Sequence, residues 1–191
     1  EQLPPAERYR SLDGYLRQTY GEKLVKLSLN AGLSCPNREN GGRGCSFCSV
    51  GGSGDFAPSP RHSVAEQLHL AKTLLAPKWA GYRYVAYFQA YTNTYASVDR
   101  LRQLFTPAIN DPEVSVLSIA TRPDCLPDAV LELLSELNRI KPVWVELGLQ
   151  TAHDITASRL NRGYSRSVYE AAASSLRARG IQVITHLIFG L

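Results

Sequence analysis

Five short apolar runs, each followed by a loop and then a stretch of helical periodicity, constrain this chain more than any other feature. The runs are LVKLSL (24–29), YVAYF (84–88), VSVLSIA (114–120), VWVELGL (143–149) and VITHLIF (183–189). Runs this short, apolar at neighbouring positions, read as strands covered on both faces, which is the habit of parallel sheets. Helical stretches lie between them. Val64, Leu68, Ala71 and Leu75 share one face of a helix opened by His62-Ser63 and ended by Pro77. A second helix covers Val98 to Phe105, and a third carries Val130, Leu133, Leu134 and Leu137 on one side. Ser167 and Glu170 form a capping box for a fourth, with Gly180 just past its end. Ahead of them all, Tyr9, Leu12, Tyr15 and Leu16 have helical spacing and predict a short helix packed on the core.

This alternation predicts an α/β fold built on a parallel sheet, either an open doubly wound sheet or an arc of a (β/α) barrel, and the strand spacing favours the arc. Both architectures bind ligands beyond the carboxyl ends of the strands. The residues least expected in a plain core gather on that rim. After the first run come Cys35, Cys45 and Cys48 within C-P-N-R-E-N-G-G-R-G-C-S-F-C, a segment crowded with glycine. Gln89–Thr94 follows the second run, Thr121-Arg122-Pro123-Asp124 the third and Gln150 the fourth, while His186 lies in the fifth.

Thiolates are soft ligands suited to zinc, copper(I) and iron–sulfur clusters. Three of them leave one metal position open, as a catalytic centre requires. A structural zinc would take a fourth ligand, and Cys125 is the remaining cysteine on the rim. Clustered cysteines of this kind fit metal ligation in a reducing cytoplasm better than a disulfide framework. The chain has 191 residues, a net charge of +4, 44% hydrophobic and 20% charged residues, enough for one substantial core. There is no run of eighteen apolar residues to span a membrane and no signal-peptide pattern. The absence of methionine, the start at Glu1 and the stop directly after an apolar run suggest a piece of a longer protein.

C-x9-C-x2-C on the loop after the first strand, with Phe47 between the last two cysteines, resembles the radical S-adenosylmethionine (radical SAM) superfamily. The long first spacing is similar to the elongator catalytic subunit. The segments SCPNR and YFQAYTNTY more closely resemble the YhcC-like subfamily, over 15–191. The resemblance implies a partial (β/α) barrel, cut short after the fifth strand, over 23–191, with 1–22 as a helical extension. It implies a [4Fe–4S] cluster on Cys35, Cys45 and Cys48 whose fourth iron takes SAM. It also implies reductive cleavage of SAM to a 5′-deoxyadenosyl radical that removes hydrogen from a substrate. Flavodoxin or ferredoxin would be the electron donor. Phe47 would shield the cluster, and Gln89, Ala90 and Tyr91 would stand where relatives hold the methionine amine, although the glutamate common there is missing. Glu146 and Gln150 would meet ribose and methionine, Arg162 would clamp the carboxylate, and His186 would approach ribose or adenine. An RNA substrate would meet Arg38, Arg43 and Arg61. The rival reading is a zinc-stabilised module that binds nucleic acid or protein without catalysis. For Glu146, a structural ion pair competes with ligand binding, because a carboxylate in an apolar strand needs a partner.

Overall fold

The computed structural model describes residues 9–39, 41–79 and 81–191. Of the N-terminal extension expected at 1–22, the described part contains α1 (Leu12–Tyr20), while residues 1–8 lie outside the described residues. Then follow β1 (Leu24–Leu29), α2 (Val64–Trp79), β2 (Arg83–Phe88), α3 (Val98–Asn110), β3 (Val114–Thr121), α4 (Asp128–Asn138), β4 (Val143–Gln150), α5 (Asp154–Arg159), α6 (Arg166–Ala178) and β5 (Gln182–Leu187). All five predicted strands form, and they pair in parallel in sequential order from β1 to β5.

That order decides between the two architectures. A doubly wound sheet reverses direction at a switch point and carries helices on both faces. Here each strand lies beside the next, and α2, α3, α4 and α6 all pack into one core cluster with Val25, Leu27, Leu29, Ala86, Phe88, Leu117, Ile119, Val145 and Leu147. The sheet is wound in one sense, with its crossover helices on one face, which is the construction of a (β/α) barrel arc.

The opposite face is built in layers by the other strand positions. At its amino end Leu24, Val85, Val116 and Trp144 form a second apolar cluster closed by Leu16 of α1. Tyr15 and Tyr20 flank the Trp144 ring at 6.2 and 6.4 Å, and the Tyr15 hydroxyl donates to Gln182 Oε1 at 3.0 Å. One step further along come Lys26, Tyr87, Ser118, Glu146 and His186, and beyond these the face opens at the carboxyl rim.

Three local expectations are corrected. Pro77 does not end α2, and α3 does not stop at Phe105 but runs through Pro107. Each proline stands in or near the last turn, where it forfeits one backbone bond. Packing beyond it compensates: Ala108 and Ile109 are buried, and Trp79 makes an edge-on contact with Tyr82 at 5.3 Å. The capping box expected at Ser167 and Glu170 does not form. α6 starts two residues earlier, with Ser165 at the N-cap position; Asp154 Oδ1 takes its first N–H from Arg166 at 2.7 Å, and Glu170 pairs instead with the Arg166 guanidinium. A capping box does exist at α2, where Ser63 Oγ and Glu66 Oε2 exchange bonds with each other's backbone N–H.

Candidate cluster and SAM site

The loop from β1 to α2 folds back over the carboxyl ends of the strands because its backbone is tied at several points. Arg38 makes the main knot. Its guanidinium donates to the carbonyls of Cys48, Ser49 and Val50 at 3.3, 2.5 and 3.4 Å. The Tyr91 hydroxyl also reaches the Val50 carbonyl at 2.8 Å, and the Tyr91 N–H donates to Gly52. Gly52 has φ +61°, and a Cβ there would run into the Tyr91 ring, so the glycine permits both the turn and the contact. Ala90, fully buried, lies beneath the same loop against Gly54 and does not line the cavity.

The result is a cleft of about 250 Å³ walled by Cys35, Cys45, Cys48, Phe47, Tyr91, Gln89, Glu146, Gln150 and His186, which are nine of the eleven residues singled out from sequence. Arg38, Tyr87, Thr92, Arg122 and Tyr164 complete much of the remaining wall. The neighbouring Cys45 thiol, with help from Ser53 and Arg38, brings the Cys48 thiol down against the effect of burial, while Cys48 and burial push Cys45 far up. Asn37 Nδ2 also points at Cys45 Sγ, at 3.3 Å.

Glu146 is the hub of the polar layer. Its carboxylate accepts from Lys26 Nζ at 2.7 Å, Ser118 Oγ at 2.5 Å and His186 Nε2 at 2.7 Å. Lys26 Nζ also lies 3.9 Å from the centre of the Tyr87 ring. Burial alone would raise the Glu146 pKa. The His186 hydrogen bond, the Lys26 charge and the Ser118 hydroxyl outweigh it and hold the acid at about 2. Both sequence readings of Glu146 therefore meet in one residue: it has its ion pair, and it faces the cleft.

Arg162 does not face the cleft. Its side chain is 0% exposed, and the guanidinium donates to the carbonyls of Leu149, Thr151 and Tyr164 and to Asp154 Oδ1. With its donors turned into the β4–α5 connection, this side chain is not the carboxylate clamp expected from sequence. The segment around it acts through backbone instead. Leu160 O accepts from Ser46 N, Asn161 Nδ2 donates to Gly44 O, and Arg162 O lies 3.9 Å from Cys45 Sγ. Arg122 and Arg38 are the arginines that line the cleft. Arg122 is held bidentately by Asp124 at 2.9 and 2.7 Å and donates to Arg162 O at 3.0 Å.

Sequence reasoning missed Lys26, Ser118 and Tyr164. The signal was available for the first two: 26, 118, 146 and 186 put a polar side chain on the inner phase of four strands. Tyr164 gave none. Its hydroxyl donates to Gly148 O at 2.6 Å, and its ring lies between the guanidinium groups of Arg122 and Arg162 at 4.8 and 4.7 Å.

Comparison with known proteins places the chain. The Radical SAM superfamily matches residues 33–191. The chain belongs to this superfamily. Curated relatives include the protein named "Uncharacterized protein YtqA" of Bacillus subtilis, 45% identical over 97% of this chain and 58% of that protein. Protein YhcC of Escherichia coli K12 is 47% identical over 93% of this chain and 57% of its own length. The chain thus spans under three fifths of these relatives. Among solved structures, Elp3 of the archaeon Methanocaldococcus infernus superposes with a TM-score of 0.61 at 15% identity, over 88% of this chain and 38% of that one. The cobalamin-dependent SAM radical enzyme OxsB, with aqua-cobalamin and SAM bound, gives 0.56 at 13%, over 84% and 23%. These likenesses bear out the elongator-like core and the barrel-arc fold.

The donor set of this radical SAM domain fits a cluster better than a single ion. Zinc holds its sulfurs at about 2.3 Å from one point. A structural zinc would need a fourth ligand beside Cys35, Cys45 and Cys48. Cys125, the one remaining thiol, lines a neighbouring cavity with Pro36, Tyr95 and Leu126, where burial pushes it up to about 12. Cys35, Cys45 and Cys48 line one cleft while Cys125 lines another, and three thiolates would leave one corner of an iron–sulfur cluster open to a ligand.

Proposed function

We propose that this domain binds a [4Fe–4S] cluster through Cys35, Cys45 and Cys48 and SAM in the adjoining cleft, as the core of a radical SAM enzyme. The observation that carries this reading is the cleft itself: three thiols on one wall, and opposite them polar side chains from β2, β4 and β5 at the carboxyl rim. Bound by Cys35, Cys45 and Cys48, the cluster would supply the electron for reductive cleavage of SAM to methionine and a 5′-deoxyadenosyl radical.

The chain's own residues bind and orient. Glu146, already ionised and fixed by three donors, offers a hydrogen-bond acceptor to ribose hydroxyls without having to lose a proton first. His186 stands beside it and lines the cleft. Tyr91 and Gln150 both line the cleft and hold positive φ, at 61° and 56°, a strained backbone of the kind that clusters at ligand sites. Gln89, fixed by Ser28 Oγ at 3.1 Å, takes the place of the glutamate that relatives direct at the methionine amine. Phe47 covers the cluster side and excludes water. A flavodoxin- or ferredoxin-type protein is the proposed reductant. The arginines suggested for RNA divide: Arg38 is turned into the loop, leaving Arg43 and Arg61 exposed. No observation favours RNA over another substrate.

The test is anaerobic reconstitution with iron and sulfide, then incubation with SAM and dithionite. The expected outcome is a brown protein, release of 5′-deoxyadenosine, and loss of iron on Cys35→Ala, Cys45→Ala or Cys48→Ala with iron retained on Cys125→Ala. A colourless protein that binds one zinc per chain would refute the proposal.

A further inference from the structure

Arg122 and Asp124 form a fixed ion pair across the partition between two cavities. The guanidinium lines the cleft of the three thiols, while the carboxylate lines the neighbouring cavity beside Cys125. Few groups in the molecule are held as firmly. Nε and Nη2 engage both Asp124 oxygens, Nη1 donates to Arg162 O, and the guanidinium plane lies over Tyr164. Gly163, at φ +85°, makes the approach possible, since a Cβ there would stand 3.2 Å from Arg122 Nη2. The charge is also close to the sulfurs. Arg162 O lies 3.0 Å from Arg122 Nη1 and 3.9 Å from Cys45 Sγ, so the nitrogen and sulfur are no more than about 7 Å apart, inside a Debye length of about 8 Å.

We infer that the Arg122–Asp124 pair is an electrostatic positioning device that sets the reduction potential of the group held by Cys35, Cys45 and Cys48. The inference rests on the cluster reading above. One-electron reduction adds a negative charge to a body already carrying three thiolates, and a cation pinned on the near side favours the reduced form. The anion on the far side moderates it. Asp124 is thus both the tether that keeps the guanidinium in place and the counterweight that limits its effect. Neither side chain needs to touch the bound group. The device differs from a mobile surface arginine because Arg122 has only 11% of its side chain exposed and so keeps much of its charge from solvent screening.

The experiment is a mediated redox titration of the reconstituted full chain, with dithionite as reductant and the reduced state followed by electron paramagnetic resonance. Arg122→Gln is expected to lower the ratio of reduced to oxidised cluster at a fixed potential about tenfold, which is ~59 mV for one electron. Asp124→Asn is expected to raise that ratio by about threefold, and Arg122→Lys to fall between Gln and wild type. Opposite signs in the two neutralising variants cannot come from a loosened loop, which would move both the same way. Ratios that move together, that reverse these signs, or that stay within about 1.5-fold of wild type in both variants overturn the inference. Should Arg122→Gln fail to hold iron, Asp124→Asn decides alone, because Tyr164 and the Arg162 carbonyl still hold Arg122 there. A wild-type chain that assembles no cluster refutes the functional reading and takes this inference with it. An assembled cluster with an unmoved ratio refutes the inference alone.

Discussion

Replacing Glu146 by Gln tests whether the polar layer is held by an ionised hub. The folded protein keeps this acid at about 2 against an ordinary value of 4.5, and the side chain is 2% exposed. A depressed folded pKa contributes stability that is present in full above the unfolded value and is lost as pH falls through the folded one. At 1.36 kcal/mol per pH unit the linkage is about 3 kcal/mol, complete above pH 4.5 and nearly gone by pH 2. Glutamine keeps the shape and the Ser118 bond but carries no proton equilibrium. Lys26 and His186 are 33% and 43% exposed, so water can solvate them once the carboxylate is gone. The stability gap between wild type and Glu146→Gln should therefore be large at pH 7 and shrink by about 3 kcal/mol toward pH 2.5. Urea unfolding followed by circular dichroism at pH 7, 5.5, 4.5, 3.5 and 2.5 measures it. A gap that does not change with pH would refute the reasoning, because packing loss alone has no reason to titrate.

Two further substitutions probe the cleft's supports. Arg162→Ala should cost about 3–5 kcal/mol in urea unfolding, as removal of a buried, multiply bonded charge does, and Arg162→Lys should recover only part of it because one ammonium cannot span the same carbonyls; a loss under about 1 kcal/mol would show the guanidinium to be dispensable. Gly52→Ala should destabilise by about 1–3 kcal/mol through its positive φ and the Tyr91 ring, and limited proteolysis should cut the 41–56 region faster than in wild type; unchanged cleavage would mean the loop absorbs the methyl group without moving.

The strands were legible because burial on both faces leaves a dense apolar signature, and Glu146 stood out as the one carboxylate inside such a run. The three cysteines were legible by spacing. What stayed hidden depends on residues distant in sequence meeting across the sheet. Lys26 and Glu146 are 120 positions apart, and a lysine in a first strand looks like an ordinary edge residue. The short helix α5 escaped because six residues give too little periodicity to read.

The different orientations of Arg162 and Arg122 show where spacing stops being informative. Arg122 comes directly after β3 and Arg162 just beyond α5, both on the functional rim, so topology alone does not separate their claims to the cleft. Their orientation is fixed afterwards by local geometry: a glycine at positive φ next to Arg162, a tyrosine ring between the two guanidiniums, and an aspartate two residues from one of them. The carbonyls of Leu149 and Thr151 need a donor at the end of β4, where the bulge at Gln150 breaks the ladder to β5. Arg162 fills that need and is consumed by it. A cation at a strand end is therefore a candidate ligand only after the backbone's own unpaired carbonyls have been satisfied. By that accounting Arg122, which gives just one bond to a carbonyl and keeps its partner Asp124 outside the cleft, still has its guanidinium on the wall shared with the three thiols.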